Sequence, residues 1–301
     1  MTPSVLVLVA GDVPSKPLSL AHLAHAESLI EAAGLICSDP HWLSAHGAAE
    51  IMVSDVVPSG IWEELRLVLG RDLIDVFVVP QANRQKKLLL ADMDATIVEG
   101  ETLDDLAAQA GLKELIAGIT ARAMRGELDF KEALTERVRL LKGLPLEALL
   151  KTLEAMVINR GAQEVVRVMR AHGAECYLVS GGFTYFTEAI AGLCSFNGHH
   201  GNVLGWGGDV LSGEVIPPIL DKDAKLAFLN EYRDKLGLSA ALTMAVGDGA
   251  NDIPMLEAAA LGVGYHPKPL VKERIANFIV HTDLTSLLYV QGYTQADILA
   301  S

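Results

Sequence analysis

From residue 86 onward, short apolar segments alternate with longer helix-forming stretches. The apolar segments are KLLLAD, AECYLVS, LTMAVGD and ANFIV, which have the length and composition of buried strands. This alternation predicts a parallel sheet with crossover helices, because parallel strands cannot be joined by a tight turn. Ligands of such open sheets bind at the carboxyl ends of the strands. Asp92, Ser180 and Asp248 each fall where a predicted strand ends, so we expect the fold to bring them together.

The first 85 residues have a different pattern. The strand-like segments SVLVLVA, AAEIMVSDV and LIDVFVVP are interspersed with two helix-forming stretches. With one further strand near residues 35–44, the order is βαββαβ. That order is the ferredoxin-like arrangement. The stretch QANRQKK that follows is polar and indicates a linker. We therefore predict a small α+β domain over residues 1–85 and an α/β domain over residues 86–301.

Two segments of the second domain interrupt the alternation. Residues 102–172 form a long crossover rich in leucine and alanine, which predicts an inserted helical cap over the strand ends. Residues 195–219 are rich in glycine and turn signals, which indicates a β-hairpin flap. The predicted fold is therefore a Rossmann-like α/β sheet with a cap and a flap, preceded by a ferredoxin-like domain.

Composition argues against several classes of function. The formal net charge is −14, with 38 acidic against 24 basic residues, so the chain lacks the basic footprint that nucleic-acid binding needs. No window offers about 18 uncharged apolar residues, and no basic segment precedes the apolar N-terminal run, so we expect no membrane span. The three cysteines form no CxxC pair, which is typical of a reducing compartment such as the cytoplasm.

The stretch ADMDAT places two aspartates, Asp92 and Asp94, at the end of the first predicted strand of the sheet. In a strand, residues two apart point to the same side. Two neighbouring carboxylates resist being ionised together unless a cation is present, which predicts that one binds a metal ion while the other carries a proton as a general acid. A solvated acidic strand end is the alternative, and this pair alone does not exclude it.

A second acidic motif, GDGAND, overlaps the end of the strand LTMAVGD. Asp248 ends the strand, Gly249 permits a tight turn, and Asn251 and Asp252 fall in the first turn of the next predicted helix. Oxygen ligands without thiols favour Mg²⁺ over zinc. An N-capping loop would use the same residue types, but an acidic motif at another strand end makes a metal site the better interpretation.

Two further motifs contain groups that could bind an anion. In LVSGGFT, a strand that ends at Ser180 and runs through two glycines into a helix exposes backbone N–H groups and a hydroxyl. A capping serine in an ordinary strand-to-helix turn is the alternative. Lys225 lies on a predicted helix in LDKDAKLAFL, and alone it would be interpreted as a solvated surface lysine.

In this order the four motifs resemble the haloacid dehalogenase (HAD) superfamily of phosphotransferases: DxDxT at 92–96, then Ser180, then Lys225, then GDGxND at 247–252. The resemblance covers roughly residues 86–290. ADMDATIVEGETLDDLA, MRGELDFKEALTERVRLLKGLP and VSGGFT are similar to the phosphoserine phosphatases of that superfamily. The N-terminal unit resembles the degenerate ACT-like domain of many bacterial members. Ala95 departs from the family, where serine is more usual at this position.

The resemblance implies the chemistry of the acidic residues. Asp92 would be the nucleophile that takes the phosphoryl group as an aspartyl-phosphate. Asp94 would protonate the leaving oxygen and then deprotonate the hydrolytic water. Mg²⁺ would be bound by the Asp92 carboxylate, the Asp94 backbone carbonyl and Asp248.

The resemblance also assigns the residues around the phosphoryl group. Ser180, the Gly181 N–H and Lys225 would hold its oxygens. Asn251 would belong to the substrate-binding residues. Together with Asp252, it would also orient Lys225 and the waters of the metal ion.

Four residues in or beside the predicted cap would select the substrate. Glu101 matches the acid of the family that meets the substrate ammonium, and Arg137 matches the arginine that binds its carboxylate. Met124 and Phe130 match apolar pocket residues. Each has a structural alternative, namely a first-turn helix acid, a salt bridge within the cap, or ordinary cap core.

The resemblance thus implies a Mg²⁺-dependent phosphoserine phosphatase that completes serine synthesis, acting on a small molecule in the cytoplasm without nucleic acid or membrane. A phosphatase or phosphotransferase for another small phosphomonoester is the alternative within the fold. A non-catalytic amino-acid sensor is a third, which the intact set of motif residues argues against. The sequence leaves the oligomeric state open, a homodimer included.

Overall fold

The computed structural model describes residues 3–13, 15–124 and 127–301, and the side chain of Met124 lies outside that description. The pocket role of Met124 therefore stays a prediction. In the N-terminal unit, the described strands and helices follow the expected βαββαβ order. They are β1 (Ser4–Ala10), α1 (Leu20–Ala32), β2 (His41–Ser44), β3 (Ala48–Val53), α2 (Ser59–Leu69) and β4 (Ile74–Pro80). The strands form one antiparallel sheet in the order β2-β3-β1-β4.

The second sheet contains the remaining strands, in the order β11-β10-β9-β5-β6-β7-β8. They are β5 (Leu88–Ala91), β6 (Glu175–Phe183), β7 (Gly198–Trp206), β8 (Leu211–Ile216), β9 (Thr243–Gly247), β10 (Leu261–Tyr265) and β11 (Asn277–Ile279). Neighbours are parallel except β7 and β8, which form the expected hairpin. Strand β7 also extends the parallel sheet beside β6, so the hairpin is continuous with the sheet.

Four helices follow β5 as a separate group. They are α3 (Thr102–Gln109), α4 (Lys113–Met124), α5 (Phe130–Leu140) and α6 (Leu146–Ala155). They pack on one another, and α5 also contacts β8. Helix α7 (Ala162–Ala171) falls within the range expected for the cap, 102–172, but it packs on β6 and on α8 (Thr184–Cys194).

Helices α7 and α8 contact strands of the large sheet, and five further helices follow them in the chain. These are α9 (Lys222–Lys235), α10 (Ile253–Ala258), α11 (Pro269–Arg274), α12 (Ser286–Val290) and α13 (Gln295–Ala300). No helix among the described residues combines the length and the apolar character needed to cross a bilayer.

Strand β10 is missing from the sequence expectation, because its segment LGVGY contains two glycines, which weaken a strand prediction. The structure gives the reason for both. A Cβ at Gly262 would collide with the Leu256 carbonyl of α10, and a Cβ at Gly264 would lie 2.9 Å from Pro267 Cβ. Positions 262 and 264 therefore require glycine, because neighbouring segments pack closely against this strand.

The small sheet buries both of its faces, since successive residues of a strand point to opposite sides. Leu6 and Leu8 of β1 pack with α1 and α2 in a core of their own. Val5 and Val7 of β1 and Phe77 of β4 point the other way and belong to the same apolar cluster as the core of the large sheet. The N-terminal unit therefore packs directly against the rest of the chain.

Polar contacts join β4 to the last strand of the large sheet. The Asp75 carboxylate accepts hydrogen bonds from the backbone N–H groups of residues 280–282 at 3.0–3.3 Å. The Asn277 side chain accepts from the Val78 N–H at 3.0 Å and donates to the Val78 carbonyl at 3.1 Å. These bonds satisfy backbone groups that would otherwise be left unpaired at the edges of two sheets.

The polar stretch between the two sheets is anchored. Arg84 lies 2.6 Å from a carboxylate oxygen of Glu50 and donates to the Val290 carbonyl at 3.2 Å. Lys86 is buried, and its Nζ donates to the carbonyls of Asn83 and Ala241 at 2.8 Å each. The polar residues of this stretch therefore form specific bonds within the fold.

Candidate active site

Asp92 and Asp94 lie in a turn that follows β5 and not in the strand itself. The strand ends at Ala91, so strand alternation does not set the direction of these carboxylates, although both border the same cavity. Asp92 keeps an extended backbone, and its N–H donates to the Val246 carbonyl at 3.0 Å. Ala95 then takes a left-handed conformation, with φ of 52°. The turn therefore sets the direction of each carboxylate.

The Asp94 carboxylate faces the start of the cap. One oxygen accepts from the N–H of Thr102 at 2.9 Å and from the Thr102 hydroxyl, and the other accepts from the Ser180 hydroxyl at 3.1 Å. A Cβ at Gly182 would lie 2.9 Å from Asp94 Oδ2 and 3.0 Å from Ser180 Oγ. Gly182 therefore lets β6 approach this carboxylate, and neither Gly182 nor Thr102 is among the predicted site residues.

Ser180 lies inside β6, which continues through both glycines, so the expected strand end at Ser180 is wrong. Its hydroxyl also accepts from the N–H of Gly182 at 2.8 Å. The buried side chain of Asn202 donates to the Gly181 carbonyl at 2.7 Å and accepts from the N–H of Leu220 at 2.8 Å. Asn202, which the sequence did not single out, thus ties the SGG segment to the chain just before α9.

Lys225 is buried between two carboxylates at the start of α9. Its Nζ lies 2.6 Å from an oxygen of Asp92 and 2.6 Å from an oxygen of Asp252. Asp221 fixes the start of the helix by accepting from the N–H groups of residues 223 and 224 at 3.1 and 3.2 Å. Burial opposes the charge, but Asp252 and Asp92 outweigh it and raise the pKa of Lys225. The alternative of a solvated surface lysine is excluded.

Three buried aspartates, Asp92, Asp248 and Asp252, meet beside Lys225. Carboxylate oxygens from the three lie within 4.8 Å of one another. Burial raises the pKa of Asp92 and that of Asp248, because removal from water disfavours the charged form. A divalent cation would offset that penalty, and carboxylate oxygens suit Mg²⁺. Asp252 already accepts from Lys225 and from the N–H of Gly249 at 3.0 Å, so Asp92 and Asp248 have the freer oxygens.

A second lysine, Lys268, enters the site from the loop after β10 and is missing from the sequence prediction. Its Nζ lies 2.9 Å from Asp248 Oδ2 and 3.3 Å from Glu101 Oε1. Partial removal from water raises the pKa of the half-exposed Glu101, and Lys268 opposes that rise. The segment HPKPL carries no motif that would identify this lysine. The position of Lys268 depends on β10, a strand that the sequence did not predict.

The predicted site residues surround one cavity of about 140 Å³ between the cap and the strand ends. Its lining combines acidic, basic and apolar side chains: Asp92, Asp94, Glu101, Leu103, Phe130, Leu134, Arg137, Gly181, Gly182, Phe183, Asp248, Asn251 and Lys268. Ser180, Lys225 and Asp252 lie behind this wall, bonded to Asp94, to Asp92 or to each other. Every predicted site residue whose side chain is described therefore lines this cavity or is bonded to a residue that does.

Arg137 reaches the cavity from α5. A capping box between Asp129 and Glu132, with bonds of 2.8 and 3.0 Å, fixes the start of this helix. Within the described part of the chain, Arg137 makes one hydrogen bond, from Nε to the Ala133 carbonyl of its own helix at 3.2 Å. Burial lowers the pKa of Arg137, but an arginine remains charged in proteins. Its terminal N–H groups are available to a carboxylate.

Phe130 and Asn251 border the same cavity from the cap and from the sheet. The Phe130 ring lies 3.3 Å from the place that a Cβ on Gly181 would occupy. Asn251 Nδ2 lies 3.4 Å from Asp252 Oδ1. Asp252 is the residue before α10, which begins at Ile253, so Asn251 and Asp252 lie just outside the helical turn in which we expected them.

A family model described as haloacid dehalogenase-like hydrolase matches residues 89–257. Two curated relatives are named phosphoserine phosphatases. The protein from Archaeoglobus fulgidus is 40% identical over 230 residues, which are 76% of this chain and 67% of that relative. SerB2 from Mycobacterium tuberculosis is 37% identical over 258 residues, which are 84% of this chain and 63% of that relative. The chain thus spans about two thirds of the length of these relatives.

Solved structures repeat the fold. A HAD family hydrolase from Salmonella enterica serovar Typhi has a TM-score of 0.84 at 26% identity, covering 96% of this chain and 98% of that one. A phospho-aspartyl intermediate analogue of phosphoserine phosphatase has a TM-score of 0.63 at 36% identity, covering 68% of this chain and 98% of that one. The first similarity includes the N-terminal unit, since it covers nearly the whole chain.

Proposed function

The chain belongs to the haloacid dehalogenase-like hydrolases, and on that premise we propose that it is a Mg²⁺-dependent phosphoserine phosphatase. It hydrolyses O-phospho-L-serine to L-serine and phosphate through an aspartyl-phosphate. The observation that supports this most is the distribution of charge around one cavity. A buried Asp92–Lys225 pair lies on its sheet side, and Glu101 and Arg137 border it with opposite charges. A phosphate flanked by an ammonium and a carboxylate complements that distribution.

Asp92 is the nucleophile. Both described donors to its carboxylate, Lys225 and the N–H of Met93, approach Oδ1 at 2.6 and 2.8 Å. These donors hold the carboxylate in one orientation at the cavity wall. An oriented carboxylate can attack phosphorus in line with the leaving oxygen, and the new P–O bond forms as the bond to the serine oxygen breaks.

Asp94 transfers protons. Hydrogen bonds to Thr102 and Ser180 fix the carboxyl group of Asp94 beside the start of the cap. From there it protonates the departing serine oxygen and later takes a proton from the water that hydrolyses the aspartyl-phosphate. Because Thr102 is the first residue of α3, the position of this acid is linked to the position of the cap.

Mg²⁺ would be held by the carboxylates of Asp92 and Asp248 and by the backbone carbonyl of Asp94. When bound, it neutralises charge on the carboxylate and the phosphoryl oxygens as they approach each other. Asp252 lies in the same cluster but is engaged by Lys225 and Gly249. We assign Asp252 to the orientation of Lys225.

The phosphoryl oxygens are bound by the Ser180 hydroxyl, the Gly181 N–H and Lys225. Asn251 borders the same space and orients the phosphoryl group together with Lys225. Lys225 is fixed by two carboxylates before the substrate arrives, so it stabilises charge in the transition state without reorganisation.

Glu101 and Arg137 select the amino-acid part of the substrate. The terminal N–H groups of Arg137 pair with the substrate carboxylate, and Glu101 pairs with its ammonium. Phe130 covers the methylene group between them, and Met124 is proposed for the same apolar wall.

We also propose that residues 1–85 form an ACT-like domain and residues 86–301 the phosphatase domain. Helices α3 to α6 act as its cap, whereas α7 belongs to the layer over the sheet. A cytoplasmic enzyme that completes serine synthesis is the matching role, and a homodimer is compatible with it.

Steady-state kinetics on the intact chain of 301 residues tests this proposal. The substrates are phosphoserine, phosphothreonine, phosphoethanolamine and p-nitrophenyl phosphate, each with Mg²⁺ and with EDTA, and Asp92→Asn is the control for contaminating phosphatases. Phosphoserine should have the highest kcat/KM, and turnover should require Mg²⁺. Preference for another monoester, or equal activity in EDTA, would contradict the proposal.

A further inference from the structure

The amino group of Lys268 contacts two carboxylates, those of Asp248 and Glu101. Under the proposed function, each of these carboxylates binds a different cation. Asp248 is proposed to bind Mg²⁺, and Glu101 is proposed to bind the ammonium of phosphoserine. The Lys268 Nζ lies 2.9 Å from Asp248 Oδ2 and 3.3 Å from Glu101 Oε1. One amino group of the protein thus contacts the carboxylates that both ligands would need.

The backbone of Lys268 is held firmly at this position. Its N–H donates to the Asp248 carbonyl at 2.9 Å, and Pro269 begins α11 directly after it. The loop before it packs on β10, where only glycine fits at position 264 beneath Pro267. The root of the side chain is therefore fixed beside Asp248, while the four-carbon stem can rotate.

Lys268 differs from Lys225 in how tightly its charge is held. The Lys225 side chain is 3% exposed and makes two contacts of 2.6 Å with buried carboxylates. The Lys268 side chain is 55% exposed; its partner Glu101 is 51% exposed, whereas its nearer partner Asp248 is 7% exposed. An amino group that reaches solvent can leave the exposed Glu101 at small cost, because water replaces the lost contact, whereas at the buried Asp248 the arriving cation must replace it.

We propose that Lys268 is an internal counter-ion that both the metal ion and the substrate ammonium must displace. This inference rests on the proposed function. It assigns a role within that site to a residue that lies outside the segment matched by the family model. Before either ligand binds, Lys268 offsets the negative charge of Asp248 and Glu101. When the ligands arrive, its amino group moves into solvent. Lys268 is thus a positioning residue that lowers the affinity of the site for both cations.

The first test measures metal binding directly, without turnover. Mg²⁺ is titrated by calorimetry into the wild-type chain, Lys268→Met, Lys268→Arg and Lys272→Met. Lys272 lies on α11, four residues after Lys268, and is exposed, so it controls for the loss of one positive charge nearby. Removing a partly exposed ion pair should tighten Mg²⁺ binding by roughly three- to tenfold in Lys268→Met. Lys268→Arg and Lys272→Met should stay within about twofold of wild type.

The outcomes separate this inference from the proposed function. If wild type binds no Mg²⁺, both are wrong. If wild type binds Mg²⁺ and Lys268→Met binds it equally or more weakly, the counter-ion role is wrong and the metal site stands. Tightening of the same size in Lys272→Met would show a general charge effect and would also overturn the specific role of Lys268.

The second test concerns the ammonium and uses KM at saturating Mg²⁺. Phosphoserine is compared with 3-phosphoglycerate, which has a hydroxyl in place of the ammonium. Lys268→Met should lower KM for phosphoserine by roughly threefold or more, since Glu101 is freed for the substrate, and should leave KM for 3-phosphoglycerate within about twofold. A higher KM for phosphoserine would mean that Lys268 orients Glu101 for binding and would refute displacement.

Discussion

Replacing Arg137 by alanine should remove most of the discrimination between phosphoserine and phosphoethanolamine, which lacks only the carboxylate. Arg137 is half-buried, borders the cavity and makes one described hydrogen bond, to the Ala133 carbonyl of its own helix. With phosphoserine bound, its terminal N–H groups meet the carboxylate. With phosphoethanolamine bound, the same groups border the cavity without a partner.

The magnitude follows from the cost of leaving a charged group unpaired. An enclosed charged group without its partner costs about 2–5 kcal/mol. At about 1.4 kcal/mol per factor of ten, this corresponds to roughly 30- to several-thousand-fold in kcat/KM. Wild type should therefore prefer phosphoserine by at least the lower factor. Arg137→Ala should bring the ratio close to one, mainly by reducing turnover of phosphoserine.

The assay is kcat/KM for both substrates on wild type, Arg137→Ala and Arg139→Ala. Arg139 lies on the same helix with its side chain exposed, so its removal should leave the ratio unchanged. If Arg137→Ala retains the full preference, the carboxylate is recognised elsewhere and Arg137 is a structural residue of the cap. If wild type has no preference, the substrate assignment itself is wrong.

Three further predictions address the metal, the approach of β6 and the contact between the two sheets. Ca²⁺ should inhibit the Mg²⁺-activated enzyme, because it prefers more ligands at longer distances; activation by Ca²⁺ in a phosphate-release assay would contradict this. Gly182→Ala should reduce kcat at least tenfold, since its Cβ would lie 2.9 Å from Asp94, while the circular dichroism spectrum is retained; a wild-type kcat would show that this approach is unimportant. Asp75→Ala should lower the free energy of unfolding by about 3 kcal/mol in urea titrations, because several backbone N–H groups lose their acceptor; a change below about 0.5 kcal/mol would show that water replaces the carboxylate.

The convergence of the site could be predicted because it depends on sheet topology. Residues at the carboxyl ends of neighbouring parallel strands must lie close together, and the apolar strands before Asp92 and Asp248 are unmistakable in the sequence. Their neighbour relations in the sheet, β9 beside β5 and β5 beside β6, agree with that expectation. Lys225 was different, since its helix lies far along the chain and its burial depends on two carboxylates from elsewhere. The family resemblance, and not its local sequence, identified it.

The parts that could not be predicted depend on contacts between distant segments. The direction of Asp94 is set by a turn with left-handed Ala95 and by Thr102, and no periodicity describes such a turn. Lys268 depends on β10, whose glycines make its segment resemble a loop. In the same way, Arg84 and Lys86 form part of a polar stretch that is typical of linkers, yet each is bonded within the fold. The partners that make these residues structural lie elsewhere in the sequence.

The central claim is that Asp92 takes the phosphoryl group, and trapping the covalent enzyme tests it most directly. The chain of residues 1–301 is mixed with phosphoserine labelled with ³²P at the phosphate and is quenched in acid within milliseconds. The label should be bound to the peptide that contains Asp92, should be released by hydroxylamine as expected of an acyl phosphate, and should be absent from Asp92→Asn. Rapid release of phosphate without any labelled enzyme, or label that persists in Asp92→Asn, would contradict the account.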